Sequence, residues 1–302
     1  RAQHPWTVGF LFPCAIHHTL LAAPPSVNAV VQRSVHCAPE VMTHNAVSQG
    51  YAIKNDVTSF EHDAMCCSIG IEQRPGDSIP SEADGTGRRL WPTSLVLARY
   101  LCEHPHLVKG KRVVELGAGT GSTGIASAAL GAKSVVLTDM PEIMTYLQGN
   151  VARNAALAER MSVMPCTWGD EGHLAALMEA NPAGFDVVLA VEVVYKQDAE
   201  VLHALAALMA RLAPSQDVLL LMAYEFRGEL FDDLEFFDAA NELFDCSTVS
   251  LKPWEGTLSD SDEEERYLYM YRRKAAAPAA TSVGAPDDGT APERDTAEEA
   301  KK

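Results

Sequence analysis

Short apolar runs and longer amphipathic stretches alternate along residues 113–273. Residues 113–116 form a β-branched run that enters a glycine turn, and a helical pattern over about 122–130 follows. The unit then repeats. Residues 134–139 predict a second strand, and Pro141-Glu142 opens a helix through Asn154. A third strand over 162–167 ends at Trp168 and leads into a small helix. Residues 185–191 are apolar almost throughout, which suits a central parallel strand covered on both faces. A helix over 198–212, a strand over 217–224 and a helix over 229–242 come next. Two final strands, 246–251 and 266–271, are joined by a hairpin instead of a helix, so the last runs antiparallel to the rest. The expected class is α/β: a doubly wound, Rossmann-like sheet of seven strands with the last antiparallel. Upstream, residues 68–73 alternate around Ile69 and Ile71 and predict an edge strand. After a Gly/Pro/Ser-rich loop over 75–89, Leu90-Trp91-Pro92-Thr93-Ser94 opens an apolar helix.

The turn after the first strand carries the most chemistry. Gly117, Gly119 and Gly121 allow a tight reversal with no Cβ between backbone and ligand. Ser122-Thr123 then begin a helix whose first N–H groups point at the turn. Gly119, Gly121 and Gly124 also satisfy the dinucleotide spacing, with Asp139 about twenty residues on to grip ribose hydroxyls. The glycines therefore leave two ligands open. Glu115 separates them: a carboxylate two positions before the first glycine suits a cationic methionine portion and repels a pyrophosphate. Seven strands with a reversed last one also depart from the usual nicotinamide layout, and Tyr195-Lys196 is no Tyr-x-x-x-Lys proton relay.

The 302 residues carry a net charge of −17, which disfavours nucleic-acid binding and favours basic partners. No run of eighteen apolar residues appears, so no membrane helix is expected. Seven cysteines without a C-x-x-C pair read as reduced thiols of a cytoplasmic protein. His104 and His106 read as surface histidines. Residues 1–50 form an extension: a transit peptide, a disordered segment, or upstream sequence ahead of a true start at Met42. The folded domain is expected over 51–274. A disordered Ala/Pro/acidic tail occupies 275–302.

Taken together, these motifs resemble the seven-β-strand protein-lysine methyltransferases, the methyltransferase family 16 group. The resemblance covers about residues 69–273. It rests on L-W-P-T-S-x-x-L-A-R-Y-L, V-E-L-G-A-G-T-G, L-T-D, N-V-A-R-N, Trp168-Gly169, F-D-V-V-L-A-V-E-V-V-Y and A-Y-E-F-R-G. Glu192-Val-Val-Tyr195 matches the group's acid-x-x-Tyr signature, placed directly after the fourth strand. The resemblance implies S-adenosyl-L-methionine as co-substrate and a lysine of a protein as acceptor, with a monomer as the usual state. Carried over, Gly117, Gly119 and Gly121 line the donor turn and Glu115 supports its methionine end. Asp139 holds the ribose hydroxyls, Trp168 packs near the adenine and Trp91 borders the methionine side. On mechanistic grounds Glu192 is expected to orient the incoming ammonium, and Tyr195 to wall the channel and bond the amine. Tyr224 and the loop after it are expected to face the substrate. Asn150 and Asn154 read as helix-end residues outside the site. The acids Asp262–Glu265 are expected to form a lip for a basic segment of the substrate. Rival readings are a histidine, N-terminal amine or small-molecule acceptor, a dehydrogenase, and a non-catalytic module on the same fold.

Overall fold

The computed structural model describes residues 56–74, 85–195, 197–226, 233–256 and 265–275. The chain first forms a two-stranded antiparallel hairpin from β1 (Asp56–Phe60) and β2 (Ile69–Gln73). The expected edge strand thus exists, but it pairs with a strand that the sequence pattern does not announce and stands apart from the main sheet. A 3₁₀ turn at Thr86–Arg88 and helix α1 (Pro92–Glu103) follow, with Pro92 at the first helical position.

The remaining elements alternate. They are β3 (Arg112–Leu116), α2 (Ser122–Ala129), β4 (Ser134–Asp139), α3 (Met144–Arg153), β5 (Met161–Pro165) and α4 (Glu171–Ala180). Then come β6 (Val187–Val191), α5 (Ala199–Leu212), β7 (Leu219–Phe226), α6 (Leu234–Leu243), β8 (Phe244–Ser250) and β9 (Glu265–Arg273). The helix expected from Pro141 starts as a 3₁₀ turn over Pro141–Ile143 and becomes α-helical at Met144.

Seven strands form one sheet in the order β5-β4-β3-β6-β7-β9-β8. All neighbouring pairs from β5 to β7 are parallel, and β9 is antiparallel to both β7 and β8. The fold expected from the sequence is therefore present, and β8 has the direction of the parallel strands. What the hairpin rule does not give is that β9 inserts between β7 and β8.

Helices cover both faces because each buried strand is apolar on both. Val113 belongs to the core cluster to which α1, α2 and α3 contribute, whereas Val114 and Leu116 belong to the one to which α4, α5 and α6 contribute. In β6 all five residues are buried. The strand order reverses between β3 and β6, and this switch point is where α/β sheets place their ligands.

Among the described residues, no helix is long and apolar enough to cross a membrane. All of the expected extension and nearly all of the expected tail lie outside the described residues, as do Arg227 and residues 257–264, which include the acids 262–264 of the expected lip. Glu265, the last of that lip, accepts a hydrogen bond from the Tyr267 hydroxyl at 2.7 Å.

Candidate functional site

At the carboxyl end of β3 the chain turns through Gly117, Gly119 and Gly121, at φ 58, 53 and 77°. These left-handed angles, three within five residues, explain the glycines. A Cβ on Gly119 would also stand 2.9 Å from the carbonyl oxygen of Gly87, so the Thr86–Arg88 segment lies directly against the turn. A Cβ on Gly117 would meet Val193 Cγ1 at 3.0 Å and the Trp168 ring at 3.2 Å. The turn is thereby flanked by the Trp168 ring and by the chain that leaves β6.

Two carboxylates brace the turn. Glu115, 2 % exposed, accepts from the Gly124 N–H in the first turn of α2 at 2.9 Å. Burial pushes its carboxyl up to about 8; the Gly124 N–H pulls the other way, and the nearby charge of Asp139 adds to the rise. Glu115 therefore acts on the turn from the helix side. Asp139, buried at the end of β4, accepts from the Gly119 N–H and from the Met140 N–H, each at 2.7 Å. Two backbone donors fix the direction of that carboxylate.

The second half of the site follows β6. Glu192 has φ 54°, the one left-handed non-glycine among the described residues, and is 8 % exposed. Its N–H donates to the Ala223 carbonyl at 3.0 Å, which extends the ladder to β7 by one residue. An L-residue with a long side chain in this region costs roughly 1–2 kcal/mol, and such strain gathers at functional sites. Three residues on, the Tyr195 ring meets Trp91 edge to face, with centroids 5.3 Å apart. Trp91 donates its indole N–H to the Thr86 carbonyl at 3.2 Å, and the Arg89 guanidinium lies 4.9 Å from its ring centre. The structure thus brings Trp91, Tyr195 and the Thr86–Arg88 segment together, and sets Val193, within Glu192–Tyr195, against the glycine turn at Gly117.

Tyr224 departs from expectation. It is 2 % exposed, packs against Phe237 and Tyr269, and gives its hydroxyl to Asp233. Strand alternation explains this, since Tyr224 shares the α6 face with Leu220 and Met222. Its neighbour Glu225 points the other way and pairs with Arg266 at 2.9 Å. Arg266, 2 % exposed, also reaches Glu255 at 3.4 Å, and Arg99 Nη1 donates to the Trp254 and Glu255 carbonyls at 3.1 and 2.8 Å. This buried ionic cluster fastens the start of the β8–β9 connection to α1 and β7. No local motif announces it.

His104 stacks on Tyr100 with ring centres 4.1 Å apart. Among the described residues, no group of three His, Cys, Asp or Glu side chains is placed to hold a metal ion.

A family model described as lysine methyltransferase matches residues 79–243, more than half of the chain. The chain belongs to the lysine methyltransferase family. This lysine methyltransferase family member is 33 % identical over 150 residues to EEF1A lysine methyltransferase 3 of Xenopus tropicalis, covering 49 % of this chain and 62 % of the relative. It is 34 % identical over 191 residues to protein N-lysine methyltransferase METTL21A of Danio rerio, covering 62 % and 77 %. Against protein-lysine methyltransferase METTL21E of Mus musculus the figures are 33 % over 179 residues, 58 % and 70 %. The chain thus spans about three fifths to three quarters of these relatives. Among solved structures, magnesium protoporphyrin IX methyltransferase from Synechocystis with bound SAM is 18 % identical at a TM-score of 0.43, covering 65 % of this chain and 86 % of that one.

Proposed function

We propose that this member of the lysine methyltransferase family transfers a methyl group from S-adenosyl-L-methionine to the side-chain amine of a lysine in a protein. The observation that carries the reading is Glu192, strained and buried at the switch point, with Tyr195 against Trp91 next to it. The names of the matched relatives, which describe lysine methylation of proteins and of EEF1A in particular, agree with it. S-Adenosyl-L-methionine supplies an electrophilic methyl on a positively charged sulfur.

The residues present fit such a donor. A left-handed glycine turn follows β3, and the N-terminus of α2 opens beside it. Asp139, oriented by two N–H groups, suits ribose hydroxyls; Trp168 against Gly117 suits a flat base; Trp91 suits the methionine side. Glu115 holds Gly124 and so keeps the turn in shape.

A lysine must arrive neutral to act as a nucleophile, although its ordinary pKa is near 10.4. The Trp91–Tyr195 pair provides an apolar wall that disfavours the ammonium. Glu192 orients the incoming ammonium, and the Tyr195 hydroxyl bonds the amine and aims its lone pair. Alignment and exclusion of water then do most of the catalytic work.

In this reading the folded unit is 51–274, the chain acts as a monomer in the cytoplasm, and the acidic stretch at Asp262–Glu265 favours a substrate lysine in a basic segment. The test is a radiolabelled-methyl assay on the full chain with a cell lysate, followed by mass spectrometry of the labelled band. Label on lysine that falls at least a hundredfold in Glu192→Gln supports the reading. Label on histidine or an N-terminal amine would move the acceptor, and no label despite donor binding would leave a binding module.

A further inference from the structure

Helix α3 and the residue that caps its C-terminus carry three polar side chains one turn apart, Tyr146, Asn150 and Asn154, and all three bond the backbone of β2. Asn154 accepts from the Gly70 N–H at 2.9 Å and donates to the Gly70 carbonyl at 2.8 Å. Asn150 does the same with Glu72, at 2.9 and 3.0 Å. The Tyr146 hydroxyl donates to the carbonyl of Glu72 and, at 3.3 Å, to that of Arg88. The match has a simple origin. Four helical residues rise about 6 Å, and two strand residues advance about 6.6 Å. One turn of α3 therefore steps along one pair of backbone groups on the same side of β2.

Asn150 makes one contact that Asn154 does not. Its amide also donates to the Thr120 carbonyl at 2.9 Å, between Gly119 and Gly121 of the donor turn. The second donation of Asn154 stays inside α3, to the Asn150 carbonyl at 2.8 Å. Asn150 is 1 % exposed, so water does not replace bonds that are lost there. Thr120 is likewise buried. The same residues reach the other side of the turn. Tyr146 holds Arg88, and Gly87 next to it lies against Gly119.

Building on the methyl-donor reading above, we propose that Asn150 is a positioning residue of the donor site. It locks the glycine turn to the β1–β2 hairpin, and with Tyr146 it holds the Thr86–Arg88 segment closed against the turn. Asn154 anchors the hairpin alone. The hairpin is then part of the donor site although it lies outside the seven-stranded sheet.

Asn154 supplies the internal control, because both asparagines make the same paired bonds to β2. The experiment is calorimetric titration of the full chain and of Asn150→Ala, Asn150→Asp and Asn154→Ala with S-adenosyl-L-methionine, next to thermal unfolding of each. Asn150→Asp keeps size and one acceptor and loses both donations, so it serves if the alanine variant does not fold. The expected result is a donor Kd at least tenfold weaker in the Asn150 variants and within threefold of wild type in Asn154→Ala, with similar falls in Tm. Steady-state kinetics should place the Asn150 defect in the donor KM, with kcat changed less than threefold. Equal donor affinities in the Asn150 and Asn154 variants would overturn the proposal, since a purely structural role predicts that. Absence of donor binding by the wild-type chain would instead overturn the reading on which the proposal rests.

Discussion

Glu115 makes stability depend on pH in a way that a single isosteric change should remove. In the folded chain its carboxyl is fully enclosed and pushed up to about 8, whereas an unfolded glutamate titrates near 4.3. Between these values the folded state holds a proton that the unfolded state has released. Stability is therefore greatest below pH 4.3 as far as this group is concerned, and falls as pH rises towards 8. One proton corresponds to about 1.4 kcal/mol per pH unit, so raising the pH from 5.5 to 7.5 removes on the order of 2 kcal/mol. Glu115→Gln keeps an acceptor for the Gly124 N–H and abolishes the titration. Urea unfolding of both proteins at half-unit steps across that range gives the comparison. The difference in stability should grow by about 2 kcal/mol in favour of the variant. Parallel curves would refute the argument, and would mean that Glu115 is ionised in the folded protein and counter-balanced there.

Gly119→Ala should weaken donor binding by more than tenfold in calorimetry, because the added methyl meets the Gly87 carbonyl at 2.9 Å in a left-handed residue. Backbone strain alone accounts for about 1–2 kcal/mol of that. Arg266→Met should cost about 3 kcal/mol in denaturant unfolding, since it leaves Glu225 and Glu255 enclosed without their shared cation. A loss below 1 kcal/mol would mean that these carboxylates find other partners.

The parts of the site legible in the sequence are those set by neighbours in the chain. The three glycines, Asp139 at a strand end and the Glu192–Tyr195 spacing each follow from one strand and the turn after it. The parts that were not legible depend on residues far apart. Asn150 looks like a helix-end polar residue until β2, 78 positions earlier, lies along α3. Tyr224 ends a run that points to the active face, yet period-two alternation turns it towards α6. Nothing local says that β9 slots between β7 and β8, because a hairpin fixes direction and leaves the place in the sheet open. Strand β1 leaves no mark in the sequence pattern because only its pairing with β2 defines it.

The amide ladder of α3 has a consequence for how the chain behaves in a crowd. A two-stranded hairpin has two rims of backbone N–H and C=O groups, each a template on which another chain can add a strand. Along β2 the rim turned away from β1 is occupied at Gly70 and Glu72 by asparagine side chains that offer the same donor and acceptor a strand would. Helix α3 thus closes that rim with side chains in place of a third strand, and the hairpin is shielded from self-association on the side that meets the glycine turn.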